Sequence, residues 1–200
     1  MGAAVAIAVA SVISMFVIIG HNIAAIGRVD VGITAYAQPE LPPGKRFVLR
    51  GPDPRYPGGD PSWPAYARIL TRALEAKGFV PVASAPDLII RVTYRVGDTL
   101  TSVSTTTTPT KNGHTDSTSV STTNLRTIRI EALDAASAAA GNPTVVWSIH
   151  AQSRGTGDGL AKVFPNMVAA MDGYVGVTAE QEVKVSNYDS DPEVVRLTQP

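Results

Sequence analysis

The chain has 200 residues and a mass of 20.9 kDa, with 44% hydrophobic and 17% charged residues. That is room for one domain of ordinary size with enough apolar content for a packed core, which excludes global disorder. Basic and acidic residues balance at 17 each and cysteine is absent, which excludes a dedicated nucleic-acid surface, disulfides, a thiol nucleophile, cysteine-held metals and a lipid-modified cysteine.

Residues 3–19 are an uncharged apolar run that resumes briefly at 23–26. Such a run can cross the hydrocarbon of a bilayer, which takes roughly 20 residues, or serve as the apolar region of a secretory signal. Residues 1–27 are therefore expected to be a signal peptide or an N-terminal membrane anchor. If uncleaved, residues 3–26 would sit in the membrane, and the rest of the chain would be exported. Residues 28–44 are expected to be a linker. Prolines and glycines crowd the stretch 38–64 and forbid one regular element there. Within that stretch, residues 45–50 read as a short strand.

Trp63, Tyr66, Leu70, Ala73 and Leu74 recur at three and four, predicting a helix with one apolar face. Ser62 is placed as its N-cap and Gly78 as its left-handed C-terminal stop. Residues 79–82 read as a short strand. Leu88, Ile90, Val92, Tyr94 and Val96 alternate with polar residues, as do Ile128, Ile130 and Ala132, and then Val145, Trp147, Ile149 and Ala151. Each set predicts a half-buried strand. Val163, Met167, Val168, Met171 and Tyr174 predict a last helix, with Pro165 expected in its first turn because an interior proline costs about 3 kcal/mol. The expected fold is α+β: a mainly antiparallel sheet with two helices packed on one face.

The stretch 97–124 is dominated by Ser and Thr and repeats Thr-Ser-Val-Ser-Thr-Thr at 101–106 and 118–123. Lys111-Asn112-Gly113 lies midway and fits a three-residue hairpin loop. One long Thr/Ser-rich β-hairpin from about Leu88 to Asp134 is therefore expected. Its register would set Val96 against Ile128, Tyr94 against Ile130 and Val92 against Ala132. The same register sets Arg95 opposite Arg129. Like charges facing across a sheet repel unless an anion or carboxylate joins them, so Arg91, Arg95 and Arg129 are expected to form either a partner-binding face or a solvated sheet face balanced by Glu131 and the acidic tail.

Other chemistry is sparse. The three histidines, His21, His114 and His150, form no metal-ligand spacing, so no metal site is expected. No nucleophile elbow or catalytic constellation is evident, so no catalytic residues are assigned. Gly155, Gly157 and Gly159 sit where a phosphate loop could lie, but lack the dinucleotide and P-loop endings, so no cofactor is expected. Asp189, Asp191 and Glu193 lie in an acidic tail, residues 177–200, which lacks calcium-loop spacing. Residues 38–171 carry 14 basic and 10 acidic groups, and residues 172–200 carry 2 and 6. The zero net charge thus hides a basic domain and an acidic end.

The order of motifs resembles a known family. The stretches 67–79 (ARILTRALEAKGF), 85–94 (APDLIIRVTY), 128–135 (IRIEALDA) and 145–148 (VVWS) resemble a bacterial cell-envelope domain of unknown function whose members are often classed as lipoproteins. The resemblance covers about residues 45–176 and implies a small α+β envelope domain, in the periplasm or cell envelope, with no known catalytic residues. The missing cysteine departs from the lipoprotein pattern. Two functions of different class follow. One is a non-catalytic exported protein that binds another envelope protein or an anionic envelope component, by the sheet face or by strand addition at the sheet or hairpin edge. The alternative is a small-ligand-binding protein or enzyme with a site near Gly155 and Gly159.

Overall fold

A computed structural model of the chain describes residues 27–40, 44–52, 60–111, 113–156 and 159–199. The expected signal or anchor, residues 1–26 of it, lies outside the described residues. No helix among the described residues is long and apolar enough to cross a membrane.

The described chain is α+β and runs as β1 (Arg28–Ala37), β2 (Arg46–Arg50), α1 (Trp63–Ala76), β3 (Val80–Pro81), β4 (Leu88–Thr110), β5 (Gly113–Asp134), α2 (Ala135–Ala139), β6 (Val145–Thr156), α3 (Leu160–Met171), a 3-10 turn (Asp172–Tyr174), β7 (Ala179–Tyr188) and α4 (Pro192–Thr198). One seven-stranded sheet has the order β3-β2-β4-β5-β6-β1-β7. The sheet is mixed and not mainly antiparallel as expected, because β2 pairs in parallel with both β3 and β4. The physical reason is α1. A helix between β2 and β3 carries the chain back, so the next strand enters in the same direction.

Two stretches expected to be irregular are regular. The linker assigned to 28–44 contains β1, which is held between β6 and β7. Val29, Val31, Ile33 and Ala35 alternate into the core, which is the pattern of a half-buried strand. The acidic tail assigned to 177–200 contains β7 and α4, and α4 buries Val194 and Leu197 at 3% and 1% exposure.

The core lies on one side of the sheet. Ile33, Ile90, Val92, Ile128, Ile130, Trp147 and Ile149 meet Leu70, Phe164, Met167, Met171 and Leu197 from the helices. Helix α1 ends as expected: Gly78 has φ +79°, and the amides of Gly78 and Phe79 donate to the carbonyls of Glu75 and Leu74. These two bonds satisfy carbonyls that the helix end would otherwise strand. Its start differs. Ser62 stands at the N-cap but makes no side-chain cap. Asp60 shapes the turn instead, its Oδ1 accepting the Ser62 amide at 2.8 Å. Pro165 lies in the interior of α3, not in its first turn, because the helix already begins at Leu160.

The hairpin from Leu88 to Asp134 is present, with a different register from the one expected. Thr110 pairs with Gly113, so two residues connect the strands. Val92 pairs with Ile130 and Tyr94 with Ile128, two positions from the expected alignment. A register shift between Gly97 and Leu100 inserts one extra residue in β4. That bulge offsets the shorter loop and returns the apolar side chains to the core face.

Candidate functional site

The helices cover one face of the sheet and leave the other open. Side chains that alternate away from the core form rows across the open face. One row runs Thr93, Arg129, His150 and Thr34; the next runs Arg91, Glu131, Ser148 and Tyr36. Arg95 pairs with Thr127, not with Arg129, so the expected like-charge clash does not occur. The three expected arginines do share this open face.

Glu131 organises them. Arg91 donates from Nη2 to Glu131 Oε2 at 2.6 Å and from Nε to the same oxygen at 2.9 Å. Arg129 Nη2 lies 2.7 Å from Glu131 Oε1. The Glu131 side chain is 10% exposed, whereas those of Arg91 and Arg129 are 51% and 59% exposed. Burial pushes the Glu131 pKa up, but the Arg91 and Arg129 guanidinium groups outweigh it and hold it below the ordinary value. The carboxylate is thus a fixed brace, and both arginines present surface to solvent.

Beside this brace is an open depression of about 530 Å³, bordered by Tyr36, Thr93, Arg95, Thr127, Arg129 and His150. Its rim offers guanidinium, imidazole and hydroxyl groups, and no carboxylate among the described residues. It can accept an anion or a polar chain by charge-assisted hydrogen bonds. Farther along the face, Arg28, Arg154 and Lys184 border a second hollow with Asp30 and Glu182. There Asp30 accepts from Arg28 Nε at 2.9 Å and from Ser186 Oγ at 2.5 Å, and these bonds hold its pKa low.

Thr34 and Tyr36 were missed because residues 28–44 read as linker. The signal was present: Val29, Val31, Ile33 and Ala35 alternate with polar or small residues. Sequence alternation places His150 on a strand, and only the β5–β6 pairing sets it beside Arg129.

The other candidates do not assemble into a site. Asp134 caps α2 by accepting the Ser137 amide at 2.7 Å, while His150 stands on the open face. Near Gly155, the buried Arg126 donates from Nη2 to the carbonyls of Gly155 and Thr156 at 3.4 and 3.1 Å. Gly157 and Asp158 of that loop lie outside the described residues. In the tail, Asp189 accepts from Asn166, Asp191 accepts the Tyr188 amide, and Glu193 pairs with Arg196. Among the described residues, no three His, Asp or Glu side chains converge to hold a metal ion. Trp147 is a core residue, and Trp63 stacks on Tyr94 with ring centres 6.4 Å apart. The Tyr94 hydroxyl donates to Asp60 Oδ2 at 2.5 Å. Burial first, then the Asp60 carboxylate, push the Tyr94 pKa far up.

Comparison with known proteins returns a family described as a domain of unknown function, DUF4136, matching residues 42–190. No protein of curated function matches. Among solved structures, a PDZ domain protein from Parabacteroides distasonis is 11% identical with a TM-score of 0.48, over 80% of this chain and 39% of that one. This chain therefore spans about two fifths of that protein's length. PelC from Paraburkholderia phytofirmans, solved as a dodecamer in two crystal forms, is 15% and 14% identical. The TM-scores are 0.39 and 0.41, over 76% and 75% of this chain and 99% of PelC.

Proposed function

The chain belongs to the DUF4136 family, a domain of unknown function, and from that premise we propose that it is a non-catalytic exported protein of the bacterial cell envelope that binds an anionic envelope component on its open sheet face. The observation that carries this reading is the depression flanked by Arg95 and Arg129, whose described rim holds no carboxylate. The brace on Glu131 supports it too. An arginine already held in place loses less side-chain freedom when a ligand arrives, so less of the contact energy is lost to ordering. The apolar run at 3–26 supports export.

The test is site-specific photo-crosslinking in intact cells from Thr93 and His150, which face the depression from β4 and β6. The same envelope component is expected from both positions, and none from Glu75 on the exposed side of α1. No adduct from either position, together with turnover of a substrate by the purified protein, would overturn the proposal.

A further inference from the structure

Beyond the open face, the structure assigns a second interaction surface: the outer edge of the β4 ribbon, with a second copy of this chain as its partner. The ribbon is the part of the β4–β5 hairpin that runs past the sheet. On its inner side β5 pairs with β6 only from Thr123 onward, and on its outer side β4 pairs with β2 only as far as Arg91. From Leu100 to Thr110 and from Gly113 to Thr122, each strand is therefore paired on one side alone among the described residues.

What fills such an edge is written in the pairing already made. Thr-Ser-Val-Ser-Thr reads the same in both directions. In the observed register Thr101 faces Thr122, Ser102 faces Ser121, Val103 faces Val120, Ser104 faces Ser119 and Thr105 faces Thr118. Every rung joins like to like, and Thr105 Oγ1 and Thr118 Oγ1 meet at 3.3 Å. A palindromic strand that pairs antiparallel with its own repeat offers the same match to its own copy in another molecule. A two-fold axis through Val103 sets Val103 against Val103 of the copy, Ser102 against Ser104, Thr101 against Thr105 and Thr99 against Thr107. This is the self-complementary geometry of a closed dimer.

Three further observations select β4 and a second copy. The stretch 99–108 has no charge and no proline, so the register sets no like charges together. Sheet edges are usually guarded by such residues, and the sheet's own short edge, β3, carries Pro81. The β5 edge is obstructed at its base by β6 and carries Asp116. Val103 and Leu100 are 65% and 56% exposed, and a two-stranded ribbon of Ser and Thr is marginal alone. Another strand would satisfy its open backbone groups and cover Val103.

The absence of cysteine gives a clean test. The full chain, in detergent micelles, is made with Val103→Cys, Val120→Cys, Thr101→Cys or Thr105→Cys. Opposed strand residues lie within disulfide reach. Oxidation is expected to convert most of Val103→Cys to a disulfide-linked dimer and to leave Val120→Cys without a cross-link. Thr101→Cys chains should cross-link to Thr105→Cys chains when the two are mixed, but not to themselves. In a cysteine-free chain, Val103→Lys should halve the sedimenting protein mass, with an unchanged circular dichroism spectrum. A monomeric parent chain, equal oxidation at 103 and 120, or a dimer that survives Val103→Lys would overturn the assignment. These outcomes do not depend on binding at the arginine face, so the two proposals can fail separately.

Discussion

At the scale of single residues, Glu131 does the most to shape the open face. It is the carboxylate that both Arg91 and Arg129 bind, and it is largely shielded from water. Removing its charge leaves two guanidinium groups without their shared partner, so Glu131→Gln is expected to cost about 1.5 kcal/mol at pH 7. Its folded pKa lies below the ordinary one. The stabilisation is therefore fully present above the unfolded pKa of about 4.3 and disappears as pH falls through the lower folded value. Urea melts at pH 7 and pH 3 check this: the gap between parent and variant should shrink at pH 3. A gap of the same size at both values would show that the brace is not ionic. Tyr94→Phe removes only the hydroxyl bonded to Asp60 and keeps the stack on Trp63. The expected loss in a denaturant melt is about 1 kcal/mol.

At the scale of elements, the helix ends and the hairpin show how local rules combine. Gly78 holds φ +79°, and a Cβ there would meet nothing closer than Lys45 Nζ at 3.6 Å. Gly78→Ala should therefore cost about 1 kcal/mol for conformational reasons, not through a clash. Thermal melts of Gly78→Ala and Gly78→Asn check this, because Asn tolerates the left-handed region and should recover part of the loss. Helix α1, strands β4 to β6 and the hairpin were legible because each carries its own periodicity over many residues. The details that failed were decided elsewhere. A short loop and a bulge both change the register by one residue, and the apolar faces stay matched when the two occur together. The palindrome Thr-Ser-Val-Ser-Thr already held the correct rungs, since only one alignment sets Val103 against Val120. The parallel pairing of β2 was hidden because strand direction depends on where α1 crosses, not on the residues of β2. Pro165 was misplaced because the sequence rule weighs its lost hydrogen bond and not the burial of its ring in the core.

At the scale of the molecule, the charge balance sorts into two parts with different roles. The acidic end does not lie over the arginines. Strand β7 is at the far edge of the sheet, and several acids of the end have partners away from Arg91, Arg95 and Arg129: Asp172 with Lys77 at 2.6 Å, Glu182 with Gln152 at 3.1 Å, Asp189 with Asn166 and Glu193 with Arg196. Helix α4 was hidden because it is short and becomes apolar-faced only against distant neighbours, whereas β1 carries its own alternation in Val29, Val31, Ile33 and Ala35 and is masked by the adjoining proline-rich stretch 38–64. Leu197 shows how firmly α4 is held: Leu197→Ala should cost about 3 kcal/mol in a denaturant melt, whereas a solvated tail would lose nothing. With the helices on one face, the other face keeps Arg95, Arg129 and His150 exposed to solvent. The most direct measurement of docking there is the yield of the Thr93 photo-crosslink in cells carrying Arg95→Glu, compared with the parent chain. Docking of an anionic component at this face predicts that the charge reversal removes most of the adduct, while the protein level and melting temperature stay unchanged. An undiminished adduct would contradict it.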